Sequence, residues 1–155
     1  MKTTARKPVL VLVPLLALLA VLSVAALPVG WMLFTDPSGG SMQMSVSWLG
    51  DGPFRDYTVP GLALFAVLGV APLVVIYGLI FEPRWGWLRA VNERVRVHLA
   101  WIGSALVGLA TMIWIMVQLA VIELRMFLQP VVFVIGLLIL GLTLVPSMRR
   151  HYRVM

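Results

Sequence analysis

The chain has 155 residues, of which 61% are apolar and 12% are charged, and its formal net charge is +6. Soluble domains carry about 25% charged residues, and a small soluble domain leaves too much surface in water to hide so many apolar side chains. With a mean hydropathy of +1.02, the composition therefore excludes a soluble globular domain and predicts a protein whose solvent is lipid.

Four apolar segments are candidates to cross a bilayer as helices. A helix needs about 20 apolar residues to span the hydrocarbon core, and an isolated strand cannot satisfy its backbone in lipid. We therefore predict an all-α fold, a four-helix transmembrane bundle that forms one membrane domain over residues 1–155. Its spans are predicted at residues 9–34, 62–81, 99–122 and 127–146.

The first segment runs from Val9 to Phe34 without a charge. A cleaved signal peptide is the alternative interpretation, because residues 2–7 resemble a charged leader and Ser23-Val24-Ala25 resembles a cleavage site. The apolar run far exceeds the roughly 7–15 residues of a signal core, however. Its length favours an uncleaved membrane anchor.

Residues 35–60 form the longest polar segment, which is acidic and is predicted to lie outside the cell. Apolar side chains recur at every second position from Met42 to Trp48. This period of two predicts a short extended segment, or one that lies on the membrane surface.

The same loop contains a candidate recognition patch of two carboxylates, a guanidinium and a phenol: Asp51, Arg55, Asp56 and Tyr57. Carboxylates beside a phenol also suggest a cation site or an acid–base pair. Alternatively, these residues have only a structural role: Arg55 forms a solvated ion pair with an aspartate, and the aromatic rings anchor the loop at the interface. No metal site is predicted, because the loop has no histidine and too few oxygen ligands.

Residues 82–98 are predicted to form a short amphipathic helix at the cytoplasmic surface, between the second and third spans. Leu88, Val91 and Val95 recur at helical spacing, and charged side chains occupy the other faces. Anionic lipid headgroups are candidate ligands for its arginines, at about 1 kcal/mol each. Alternatively, these charges only set the membrane topology. The four arginines are Arg84, Arg89, Arg94 and Arg96.

The third span carries small and polar residues on one face. Ala100, Ser104 and Gly108 recur every four residues, a spacing that permits close approach of another helix. Ser104, Thr111 and Gln118 recur every seven residues and therefore share a face. We predict that this face either contacts a helix through packing and hydrogen bonds or lines a solute path.

The basic residues predict the orientation of the four spans. Ten of the twelve lysines and arginines precede the first span, lie between the second and third, or follow the fourth. Only Arg55 and Arg125 fall on the other side. The positive-inside rule makes the basic side cytoplasmic, so both termini are predicted there. This distribution also explains the net charge without nucleic acid as a partner.

The spans lack the groups that most membrane chemistry needs. No ionisable residue lies in the central part of any span, which argues against a proton-coupled transporter. His98 and His151 both fall at a membrane boundary, so they cannot ligate a haem near mid-bilayer. Cysteine is absent, which excludes thiol redox enzymes and thiolate zinc sites. We predict no cofactor, no metal and no catalytic residue.

Two runs resemble a known pattern, namely Asp36-Pro37-Ser38-Gly39 and the stretch from Pro53 to Leu62, which reads PFRDYTVPGL. They resemble a family of small four-span bacterial inner-membrane proteins without an assigned activity, and the similarity extends over the chain. The resemblance implies a bacterial inner-membrane location and supplies no catalytic residue.

These features favour a non-enzymatic accessory or partner-binding protein of the bacterial envelope. Its partners would be the lipid bilayer and either another membrane protein or further copies of the chain. The first alternative is a small transporter or channel built by oligomerisation, with Ser104, Thr111 and Gln118 along its path. The second is an enzyme that uses Asp51 and Asp56 near the headgroups.

Overall fold

The computed structural model describes residues 8–50, 52–83, 86–95, 97–121 and 127–153, and these residues are mostly helical, with no strand among them. The predicted all-α class is confirmed. Among the described residues, three helices are long and apolar enough to cross a membrane: α1 (Val9–Thr35), α2 (Thr58–Phe81) and α4 (Leu99–Val121), whose qualifying stretch is Leu99–Ala120. The described residues also form three shorter helices: α3 (Gly86–Val95), α5 (Leu128–Leu144) and α6 (Pro146–His151).

The core lies along one face of α1. Leu12, Leu15, Leu19, Leu22 and Ala26 are buried there at intervals of three and four residues, which is the spacing of one helical face. They join buried residues of α2, α4 and α5 in one cluster. The opposite face of α1 exposes apolar side chains, as expected for a helix in lipid.

Helix α2 is interrupted by a π-helical segment, Leu64–Val70. Two residues beyond it lies Pro72, whose nitrogen cannot donate to the preceding turn. The hydroxyl of Ser23 on α1 donates to the carbonyl oxygen of Gly69 at 2.6 Å. Irregular backbone at membrane depth needs such a donor, because no water is present there. Ser23 therefore stabilises the irregular turn and joins α1 to α2.

A glycine allows α1 and α2 to pack backbone against backbone. A Cβ atom at Gly30 would lie 2.5 Å from the nitrogen of Phe65. This close contact lies near the ends of α1 and α2 that are connected by residues 36–57. We call residues 36–57 the α1–α2 loop. The contact holds the two helices together below that loop.

The chain between α2 and α4 contains α3 (Gly86–Val95), a helix inside the predicted segment 82–98. Asn92 accepts a hydrogen bond from the nitrogen of Leu99 at 2.8 Å and so caps the start of α4. Of the arginines predicted to meet lipid headgroups, Arg84 and Arg96 lie outside the described residues, and Arg94 is exposed.

Candidate functional site: an apolar cavity below the α1–α2 loop

Asp36 organises the start of the α1–α2 loop. Its carboxylate accepts hydrogen bonds from the hydroxyl of Ser38 at 2.5 Å and from both the nitrogen and the hydroxyl of Ser41 at 2.7 Å. Gly39 adopts a positive φ of 76°, which lets the chain reverse directly after α1. The result is a tight polar turn that begins the loop.

The middle of the loop consists of two short 3₁₀ turns, Gly40–Met42 and Val46–Leu49. The predicted extended segment is therefore wrong for these residues. Gln43 has a φ of 54°, and the hydroxyl of Ser45 accepts from the nitrogen of Ser47 at 3.2 Å, so local turn chemistry prevails over the alternation. Trp48 and Leu49 are thereby directed toward the helices.

Tyr57 ties the end of the loop to its beginning. Its nitrogen donates to the carbonyl of Pro37 at 3.0 Å, and its hydroxyl donates to the carbonyl of Ser45 at 2.9 Å. The side chain is only 1% exposed, and this burial raises the pKa of the phenol. Tyr57 thus holds the loop closed over the ends of α1 and α2.

The predicted recognition patch is only partly available for recognition. Tyr57 is buried, so including it in an exposed patch was wrong. Asp51 lies outside the described residues. Arg55 and Asp56 are exposed, and the Asp56 carboxylate accepts from the nitrogen of Thr58 at 2.9 Å, which lowers its pKa. Asp56 therefore has a structural role at the start of α2.

A cavity of about 370 Å³ lies below this loop. All four apolar helices and the loop contribute to its wall, and the lining is almost entirely aliphatic, aromatic or methionine. None of the described residues that line it carries a charge. From α1 come Leu22, Ala25, Ala26, Val29 and Leu33; from the loop and α2 come Met42, Met44, Trp48, Leu49, Phe54, Tyr57, Pro60, Leu64 and Leu68; and from α4 and α5 come Trp114, Ile115, Val117, Gln118, Leu128, Gln129 and Val132.

Helices α2 and α4 are in close contact at the end far from the loop, where a Cβ atom at Gly78 would lie 2.7 Å from the Cβ of Ala100. Near the loop, larger side chains of the same two helices, Leu68 and Trp114, both line the cavity.

Two side-chain amides lie in the α4 and α5 walls. Gln118 of α4 and Gln129 of α5 both line the cavity near the ends of their helices, and Gln129 is buried. Few, fixed polar groups in an apolar lining are typical of small-molecule sites, where they orient a ligand. Exposed Val117 and Leu128 lie on the same wall, so this side reaches the outer surface of the helices.

The other predicted polar residues of α4 lie in its contact with α5. The hydroxyls of Ser104 and Thr143 share a hydrogen bond of 2.9 Å, and Thr111 donates to the carbonyl of Val107 at 2.7 Å. A Cβ atom at Gly108 would lie 2.9 Å from the carbonyl oxygen of Gly136. Ser104 and Thr111 are fully buried, so within this chain they do not line a solute path.

The small-residue face of α4 therefore meets helices of the same chain. Ala100 packs against α2, while Ser104 and Gly108 pack against α5. The spacing of small residues predicted this face but did not indicate which helix it contacts. Of the five residues predicted on it, only Gln118 lines the cavity.

The loop should respond to acid through Asp36. Its hydrogen bonds, that from Ser38 foremost, lower the pKa of this carboxyl from 3.8 to about 2. A lowered pKa stabilises the folded loop above pH 3.8, and this contribution is lost as the pH falls through about 2. We expect the emission of Trp48, in a variant with no other tryptophan, to change over that interval. The same variant carrying Asp36→Asn should show no such transition, and a transition that persists would assign it to another group.

The Tyr57 hydroxyl can be tested separately from its ring. Tyr57→Phe keeps the buried ring and removes the hydrogen bond to Ser45, a loss of about 1 kcal/mol. Because about 1.4 kcal/mol is a factor of ten, we expect protease cleavage within the α1–α2 loop to accelerate about fivefold. An unchanged cleavage rate would mean that the ring alone holds the loop closed.

Comparisons of this chain with known protein families, curated proteins and solved structures give no match.

Proposed function

We propose that the chain is a four-span protein of the bacterial inner membrane and acts as a non-enzymatic accessory component of the envelope. In this proposal it holds a lipid acyl chain in the cavity below the α1–α2 loop. The single observation that carries the proposal is the cavity of about 370 Å³ with an apolar lining and two amides in its helical walls.

The proposed topology adds α5 to the three longer apolar helices. Its 17 residues would extend about 26 Å at 1.5 Å per residue, close to the roughly 27 Å core of a thin bilayer. Both termini are proposed to be cytoplasmic, because ten of the twelve basic residues then lie inside. The α1–α2 loop would then face the exterior, and the cavity would lie in the outer half of the membrane.

The size of the cavity favours a ligand. It falls in the roughly 300–1,000 Å³ range of small-molecule pockets. An empty cavity costs stability in proportion to its volume, because the lining atoms lose their contacts. A bilayer supplies acyl chains at high concentration to any apolar space that they can reach. The exposed wall at Val117 and Leu128 is the proposed point of access.

The polar groups favour an uncharged head close to the amides. Gln118 can donate to ester or carbonyl oxygens, which lie just above the acyl chains of a lipid. A charged group inside the cavity is disfavoured, since no described lining residue would neutralise it. The chain of the ligand would then extend from the amides toward Leu22 and Leu68.

The non-enzymatic part of the proposal rests on the chemistry of the lining. Tyr57 is the one titratable group among the described lining residues, and burial raises its pKa, which makes it a poor base near neutral pH. Binding and positioning a lipid need no proton transfer. An accessory protein of this kind would present the lipid to a membrane partner or hold it as a structural cofactor.

Fluorescence quenching tests the proposed ligand. One variant keeps Trp114, in the cavity wall, as its only tryptophan, and a matched variant keeps Trp31, which is 54% exposed on α1. Both are titrated in detergent with a phospholipid whose acyl chains carry bromine. We expect Trp114 to be quenched saturably at a few lipids per protein and Trp31 only in proportion to bulk lipid. Identical curves for the two variants would contradict the proposal.

A further inference from the structure

We infer a second lipid site at the opposite end of the molecule, one that binds the phosphate group of an anionic phospholipid. It is a pocket of about 330 Å³ between the end of α5 and α6. Three arginines line it together with two apolar residues: Leu144, Pro146, Arg149, Arg150 and Arg153. No carboxylate occurs among its described lining residues. This site is separate from the cavity below the α1–α2 loop and does not depend on it.

The backbone that carries the three arginines is fixed to the rest of the protein. Met148 is fully buried in the core cluster. The hydroxyl of Tyr152 donates to the carbonyl of Leu79 at 2.8 Å, and the nitrogen of His98 donates to the carbonyl of Tyr152 at 2.8 Å. These contacts join α6 to the ends of both α2 and α4. These anchors keep the three arginines next to the end of α5.

The side of α6 that faces away from the pocket lies near a carboxylate, that of Glu82. His151 Nε2 lies 3.6 Å from a carboxylate oxygen of Glu82 at the end of α2. The arginines lie on the pocket side, and the Nε of Arg150 donates to the carbonyl of Pro146 at 3.2 Å. Among its described lining residues, the pocket therefore combines three positive charges with no carboxylate.

The neighbouring apolar residues favour a lipid over a soluble anion. Leu144 is the last residue of the apolar helix α5 and is 52% exposed beside the arginines. A phosphate on the guanidinium groups would thus have its acyl chains next to α5. Arginine binds phosphate through two parallel hydrogen bonds, and basic pockets at helix ends are typical headgroup sites.

Lipid titration of the full chain in neutral detergent tests this inference. We expect native mass spectrometry to show at least tenfold preference for phosphatidylglycerol over phosphatidylcholine. The triple variant R149Q/R150Q/R153Q should lose that preference. Arg94→Gln, which removes one exposed charge from α3, is the matched control and should keep it. Equal binding of the two lipids by the unaltered protein would overturn the inference, as would equal losses in the triple variant and the control.

A charge-preserving variant guards against misfolding or inverted insertion. R149K/R150K/R153K keeps the net charge and loses the paired geometry, so we expect it to retain the lipid preference in part. Inorganic phosphate and glycerol phosphate at millimolar concentration should not displace the lipid. Displacement by either would identify a soluble phosphate as the ligand and overturn the lipid site.

Discussion

Replacing Gly108 with valine should lower the free energy of unfolding by about 2–3 kcal/mol, the cost of overpacking a close helix contact. A Cβ atom at this position would lie 2.9 Å from the carbonyl oxygen of Gly136 and 2.9 Å from the nitrogen of Leu140. Because both are backbone atoms, α4 and α5 would have to separate. Unfolding of the detergent-solubilised protein by a denaturing detergent measures the loss.

Gly141→Val is the matched control, because Gly141 lies on α5, the other helix of this pair, and a Cβ atom there has nothing within 4 Å. It makes the same chemical change without a steric cost, so we expect the stability to stay within about 0.5 kcal/mol. If both variants were equally destabilised, backbone entropy or helix propensity would be responsible and the close contact would not.

Replacing Val132 with tryptophan should remove the lipid proposed for the cavity. Val132 lines the cavity from α5, and the larger ring would occupy the space of the acyl chain. We expect lipid retained through purification, measured by native mass spectrometry, to fall at least tenfold. Stability should change little, because the ring fills a space that already exists.

Val134→Trp is the matched control for this experiment. Val134 lies two residues further along α5 and is 49% exposed on its outer face. Its replacement adds the same ring outside the cavity, so lipid retention should match that of the unaltered protein. Equal retention by the Val132 variant would mean that the retained lipid lies elsewhere.

The length of the apolar segments allowed the main helices to be predicted from the sequence. The second span begins at Thr58, four residues before the predicted start at residue 62. The Asp56 carboxylate accepts a hydrogen bond from the nitrogen of Thr58, and Pro60 fits the first turn of a helix. Because the span was predicted from apolar content, these residues were assigned to the loop.

The end of the fourth predicted span shows how a proline divides two helices. The predicted segment 127–146 corresponds to α5, Leu128–Leu144, and the next helix begins at Pro146. Val145 is extended, with a ψ of 133°, because a residue that precedes proline avoids the helical region. The separate helix α6, which carries the arginine pocket, follows from this local rule and was not predicted.

The cavity could not be predicted, because it depends on how four helices and the loop pack against one another. The sequence identified Gln118 and the aromatic residues of the loop, without the geometry that brings them together. The methionines at positions 42 and 44 were recognised only as part of an alternating pattern. Their contribution to the wall depends on turns at glycines and serines that override that pattern.

Photolabelling tests the central claim most directly. A phospholipid with a photoreactive group at the end of its acyl chain is incorporated into membranes that contain the protein, and the labelled residues are identified by mass spectrometry. We predict labels on residues deep in the cavity, at Leu22, Leu68 and Ile115, in addition to the exposed face of each helix. Labels confined to exposed positions such as Val134 and Leu137 would contradict the account.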